Sequence, residues 1–102
     1  MEVRFRPEAR VDIASAFDWY QLARPGLGLD LLDEIDAALA AIIRSPQTWP
    51  LWPGSNPGDV VRRFPLRRFP YGIAFVTLPE LLLVLAIAHG KRRPGFWRAR
   101  LA

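Results

Sequence analysis

The eight consecutive apolar residues Leu81–Ala88, set between Pro79-Glu80 and His89-Gly90, constrain this chain more than any other feature. The run is too short to cross a membrane and suits a strand buried on both faces. A strand of that kind needs apolar layers above and below it, and neighbouring strands on either side. Directly after it come the sole histidine, His89, then Lys91, Arg92 and Arg93, a Pro94-Gly95 turn, and Phe96-Trp97. Leu83 and Leu85 are expected to lie in the core. The cation cluster is expected at one end of the molecule, with Trp97 tying the tail back to the sheet.

At 102 residues the chain is the length of one domain, 1–102, able to form a single core without metal or disulfide. It has no cysteine, which excludes disulfides, thiolate metal sites and a thiol nucleophile and fits a reducing, cytoplasmic setting. Neither a signal peptide nor a membrane span is expected. The net charge of +4 conceals an asymmetry: residues 1–59 hold five arginines and nine acids, residues 60–102 nine cations and only Glu80. A basic half of this kind fits phosphate or an acidic protein.

Val3 and Phe5 alternate with charged residues, predicting a short strand with one buried face. Pro7 suits the first turn of a helix reaching about residue 23, with Glu8 and Asp12 complementing its dipole. Ala9, Ile13, Ala16, Phe17 and Tyr20 form the stripe that faces the core. Val11, Trp19 and Leu22 point the other way, as a partner surface, unless the hairpin buries Trp19 against the next helix. Residues 24–28 (Arg-Pro-Gly-Leu-Gly) break the helix. Leu31, Leu32, Ile35, Ala38, Leu39, Ile42 and Ile43 define a second helix, ended by Ser45-Pro46. The two helices form an antiparallel hairpin.

Residues 45–58 hold four prolines and two glycines and form a loop, in which Trp49 and Trp52 plug the core rather than stack on bases. Residues 60–66 and 67–76 read as two strands, and Phe69, Tyr71, Ile73 and Phe75 share one face of the second. Leu78-Pro79-Glu80 turns the chain into the apolar strand. The order β-α-α-β-β-β predicts an α+β fold, a mostly antiparallel sheet packed against a two-helix hairpin.

Several segments together resemble the ParE/RelE superfamily of toxins from bacterial type II toxin–antitoxin systems, and its ParE-like branch in particular. They are the helix with Trp19-Tyr20, the Gly-bearing break and the Leu/Ile/Ala helix ending in Ser-Pro. Val61-Arg62-Arg63-Phe64-Pro65, Arg68-Phe69-Pro70-Tyr71-Gly72-Ile73-Ala74-Phe75 and Ala88-His89-Gly90-Lys91-Arg92-Arg93-Pro94-Gly95-Phe96-Trp97 complete the pattern. The resemblance implies a small toxin neutralised by a cognate, commonly acidic antitoxin. That antitoxin would lay a helix over Val11, Trp19 and Leu22 and extended chain along the sheet. It implies DNA gyrase as the target, with ribosome-dependent cleavage of messenger RNA, as in RelE-like relatives, as the alternative. Target contacts would fall on Arg62, Arg63, Arg67, Arg68, His89, Lys91, Arg92 and Arg93.

Metal-independent RNA cleavage needs a base, an acid and cations for the phosphorane. His89 could supply a proton-transfer group and Arg92 a cation; a turn hydrogen bond is an equally good account of His89. RelE-like nucleases tend to carry a C-terminal Tyr or His, where this chain has Phe96-Trp97, so a non-enzymatic inhibitor is favoured. A lone histidine makes a poor metal site. No metal, cofactor, membrane or small-molecule ligand is expected, and no phosphate loop or nucleophile elbow is present.

Overall fold

The computed structural model describes residues 1–58 and 60–101. Strand β1 (Glu2–Phe5) leads into helices α1 (Pro7–Ala23) and α2 (Leu27–Arg44). Strands β2 (Arg62–Pro65), β3 (Tyr71–Leu78) and β4 (Leu81–His89) follow, and a 3-10 helix η1 (Phe96–Arg100) ends the chain. The sheet order is β1-β4-β3-β2, with β3 antiparallel to both β2 and β4 and β1 parallel to β4. The expected α+β architecture is therefore the observed one. The apolar strand β4 is an interior strand buried on both sides.

Leu82, Val84 and Ile87 of β4 pack with Ile73 and Phe75 under the helical residues Ala9, Ala16, Leu31, Ile35 and Ile42. Leu85, Ala86 and Ala88 turn to the opposite face, against Val61, Trp52 and Trp97. A β-bulge explains why Leu85 and Ala86 share a face. The register slips from Ala74↔Ala86 to Phe75↔Val84, so Leu85 is the extra residue and the alternation changes phase there. Among the described residues no α-helix covers this second face. The loop before β2 and the 3-10 helix each contribute one tryptophan, Trp52 at 2% exposure and Trp97 at 0%. Burying an indole contributes roughly 4–6 kcal/mol before ordering costs, so two suffice where a helix is missing. Trp49 packs on the helical face instead, edge-on to Phe64 at 4.5 Å. Leu83, expected in the core, is only half-buried beside the second cluster.

Two expectations about the bounds of the elements are corrected. Gly28 belongs to α2 rather than to the break, because the helices approach so closely there that a Cβ would lie 2.8 Å from the Phe17 carbonyl oxygen. The turn is held by Gln21, whose Oε1 accepts from the amides of Gly26 (3.1 Å) and Gly28 (3.0 Å). These are donors that a helix start leaves unpaired. The strands are shorter than residues 60–66 and 67–76: Arg67–Pro70 form a bend. Its Arg67 and Arg68 amides donate to Glu34 of α2.

Asp12, read as a dipole residue, has a different role. β1 ends its pairing at Phe5↔Val84, and the Arg6 amide donates to the Val84 carbonyl at 2.9 Å. Beyond that point β4 has no strand on this side. Asp12 Oδ2 accepts from the Ile87 amide at 3.1 Å, and Arg100 Nη1 donates to the Leu85 carbonyl at 3.0 Å. The two side chains meet each other at 2.6 Å, about 15–17% exposed. An ion pair from α1 and η1 thus continues the ladder where backbone is lacking.

Leaving a buried backbone group unpaired costs about 1–3 kcal/mol. Asp12→Ala and Arg100→Ala should each lower stability by about that amount in urea unfolding, and Asp12→Asn by less, since its amide oxygen still accepts from Ile87. Leu85→Ala should cost about 2–5 kcal/mol and Leu83→Ala clearly less. An unchanged midpoint in Asp12→Ala would show that water replaces the pair without loss.

Candidate functional site

Tyr71, the first residue of β3, pairs with His89, the last of β4, so both side chains stand at the open end of the β3–β4 hairpin. The chain leaves this end through a compact turn. The Gly90 amide donates to the Pro70 carbonyl at 3.1 Å, Arg92 to His89 at 3.0 Å and Phe96 to Arg93 at 3.1 Å. Gly95, at φ 83°, supplies the left-handed residue that starts η1. Trp97 anchors the far side in the second core cluster. The turn bearing the cations is therefore held at both ends.

Lys91, Arg92 and Arg93 are exposed, and among the described residues none joins an ion pair. The Arg92 guanidinium lies 4.3 Å over the Phe96 ring, which is itself edge-on to Trp52 at 5.5 Å. Stacking of this kind orients a guanidinium while its in-plane N–H groups remain available to an acceptor. His89 is exposed, its ring 5.8 Å from that of Tyr71. Its Nδ1 accepts from the Lys91 amide at 3.2 Å, so in the neutral ring the proton sits on Nε2. The turn hydrogen bond weighed for His89 is present, and the rest of the ring faces outward.

The four arginines around β2 do not lie together. Successive strand residues point to opposite faces. Arg63 thus lies on the tryptophan face, 5.7 Å over Trp52, whereas Arg62 donates to the Trp49 carbonyl at 2.7 Å and ties down the loop. Arg67 borders a groove along α2 with Glu34 and Phe64. Arg68 pairs with Asp30 at 3.3 Å and lies 5.6 Å over Phe69. The structure brings Arg63, His89 and Arg92 to one end of the sheet, and places Arg67 and Arg68 against α2.

Two shallow clefts flank the Tyr71–His89 pair. One, of about 240 Å³, is lined by Trp52, Arg63, Leu66, Phe69, Tyr71 and His89. The other, of about 340 Å³, lies between α1 and the end of β4 and is lined by Asp12, Ser15, Trp19, Tyr71, His89 and Arg92. Asp12 brings little net charge there, being matched by Arg100 at 2.6 Å. Burial, then the neighbouring Tyr71 hydroxyl, pushes the Tyr20 phenol up from its ordinary 10.0, so it is a neutral group and no base. Among the described residues no group of three or more His, Cys, Asp or Glu could hold a metal ion. Among the described residues no helix is long and apolar enough to cross a membrane.

The outer face of α1 is bare. Val11 is 63%, Trp19 70% and Leu22 88% exposed, so the hairpin does not bury Trp19. The same indole borders the cleft that holds Arg92. Sequence reading missed Phe96 as the platform for Arg92 and Arg100 as an internal residue rather than a surface cation. A Phe three residues past a cation run, and an Arg after a buried Trp, carry no periodic signal that would single them out.

No family model matches this chain, and no curated protein matches it. Among solved structures, a chain of the chromosomal ParDE TA system from P. aeruginosa is similar, with 21% identity and a TM-score of 0.72 over 87% of this chain and 95% of that one. The fold implied by the ParE/RelE resemblance is thus the fold found.

Because Trp52 and Trp97 are buried and Trp19 is not, Trp19→Phe should remove most of the iodide-quenchable tryptophan emission while leaving the thermal midpoint nearly unchanged. If quenching were as strong in the variant, the outer face of α1 would be covered.

Proposed function

We propose that this chain is the toxin of a bacterial type II toxin–antitoxin system, held inactive in the cytoplasm by a cognate antitoxin and, when released, inhibiting DNA gyrase in the ParE manner. The carrying observation is the basic end of the sheet. Among the described residues Lys91, Arg92 and Arg93 join no ion pair, yet β4, Phe96 and Trp97 hold them in place. They are set in a fold shared with a chain of the ParDE TA system from P. aeruginosa. A fixed, unpaired cation cluster suits an inhibitor that grips a large anionic surface, because the ordering cost falls on folding rather than on binding. The bare stripe of Val11, Trp19 and Leu22 suits the antitoxin, as a helix-in-groove contact.

The RelE-like alternative, a ribosome-dependent endoribonuclease, draws support from one feature: Arg63 and His89 line the same cleft. Against it stands the lack of a proton partner. Among the described residues no carboxylate lines that cleft beside His89, and Tyr71, its neighbour, is half-buried. Cleavage asks for both an acid and a base, whereas binding asks for neither.

Induced expression without antitoxin should arrest growth, and the purified chain should block gyrase supercoiling while ribosome-bound messages stay intact. Arg92→Ala with Arg93→Ala should abolish the arrest with the thermal midpoint retained, both residues being exposed. Messages cut on the ribosome, with cutting lost in His89→Ala, would replace the gyrase reading by the nuclease one. Undiminished toxicity of the arginine double variant would sink the assignment of the basic end as the toxic face.

A further inference from the structure

Of the 14 basic residues in this sequence all but one are arginines, and the one lysine, Lys91, lies in the cation cluster beyond β4. Its Nζ is therefore the only side-chain amine of the sequence, since a guanidinium stays charged and is no nucleophile at ordinary pH. We infer that Lys91 is an acyl-acceptor site for acyl phosphates, with Arg92 and Arg93 holding the phosphate that leaves, and that acylation weakens the basic end. The site follows from the geometry of the turn; its effect on toxicity rests on the toxin reading above.

Lys91 stands at the tip of a tight turn. The Arg92 amide donates to the His89 carbonyl at 3.0 Å, so Gly90 and Lys91 are the two corner residues. His89 Nδ1 accepts from the Lys91 amide at 3.2 Å, which fixes the backbone of the tip while the Lys91 side chain is exposed. A Cβ at Gly90 would meet nothing within 4 Å, so the approach from that side is open. The Arg92 guanidinium lies 4.3 Å over Phe96 with its in-plane N–H groups available, and Arg93 is exposed beside it. No acid occurs in residues 81–102, and Asp12, which lines the cleft with Arg92, is taken up by Arg100 at 2.6 Å. A dianionic donor thus meets cations with little to repel it.

An acyl phosphate carries its leaving group as a phosphate, which a guanidinium grips through two parallel N–H···O bonds. Held there, the donor presents its carbonyl carbon to the amine on the flexible four-carbon stem of Lys91. The lone pair of the neutral amine forms the new C–N bond. The bond from the carbonyl carbon to the phosphate oxygen breaks, and inorganic phosphate departs with that electron pair and takes up the amine proton. The two guanidiniums stabilise the charge that builds on the departing phosphate. The product is a neutral amide, so the turn loses one of its three consecutive positive charges. An anionic target surface is then held less tightly. A neutral acyl donor gains nothing from the arginines, which separates this site from a lysine that is only exposed.

The test treats the full chain with acetyl phosphate and, separately, with p-nitrophenyl acetate. Peptide mass spectrometry follows Lys91 against Nα-acetyl-lysine amide in the same tube. With acetyl phosphate Lys91 should react about tenfold faster than the reference amine, and added salt should erase the advantage. Arg92→Gln with Arg93→Gln should return it to the reference rate, and circular dichroism should show that variant folded, both side chains being exposed. With p-nitrophenyl acetate the chain and the double variant should react alike. Lys91 acetylated no faster than the reference, or equally fast in the double variant, would overturn the site. An equal drop with the neutral donor would overturn the phosphate-holding role of the arginines. Toxicity is read separately by gyrase supercoiling, where Lys91-acetylated chain and Lys91→Gln should each require about fivefold more protein for the same block. An undiminished block after acetylation would overturn the regulatory effect and leave the toxin reading standing. A chain that never blocks supercoiling, acetylated or not, would overturn the gyrase reading and the regulatory effect together, with the acylation rates still deciding the site.

Discussion

The ion pair between Asp12 and Arg100 solves a problem that the strand order creates. β4 is longer than β1, its parallel neighbour, so the stretch after Val84 would present bare backbone groups beside α1. Side chains from α1 and from η1 close that gap by taking the Ile87 amide and the Leu85 carbonyl. The same contact fixes the helix that bears Trp19 and the terminal turn that follows the cations relative to one strand. Much of the geometry at the basic end therefore depends on one partly buried carboxylate and one guanidinium.

The bulge at Leu85 is the second half of that arrangement. By shifting the alternation it sends Leu85 and Ala86 to the tryptophan face together, while Ile87 returns to the helical core. The tryptophan face is thin, being covered by a loop and a 3-10 helix, and it works because Trp52 and Trp97 are both fully engaged. Phe96 then extends this layer to the surface, where it carries Arg92. Core packing thus passes directly into the placement of a surface charge. A cation on a floppy tail would lose more entropy on binding than one already stacked.

Charge is divided in the molecule as it is in the chain. The acids of α2 are partly used internally: Glu34 accepts from the bend at Arg67 and Arg68, and Asp30 pairs with Arg68. These contacts draw two of the basic residues toward the helices. Lys91, Arg92 and Arg93, which join no ion pair among the described residues, gather beyond β4, next to an apolar helix face that is exposed among the described residues. The proximity of these two surfaces is the feature from which both the proposed neutralisation and the proposed toxicity follow.

The element order, the two-faced burial of Leu81–Ala88, the inward stripe of each helix and the bare outer face of α1 were all legible in the sequence, because each rests on local periodicity or on an uninterrupted run. The cation cluster after His89 was equally plain, since consecutive charges need no fold to bring them together. The partner of β1, the phase shift at Leu85, the role of Asp12 and the parting of Arg63 from Arg67 and Arg68 were decided only by tertiary structure. Each depends on residues far apart in the chain, such as Asp12 and Arg100, meeting across the sheet. Periodicity records which face a residue turns inward; it holds nothing about which distant backbone group will be waiting there.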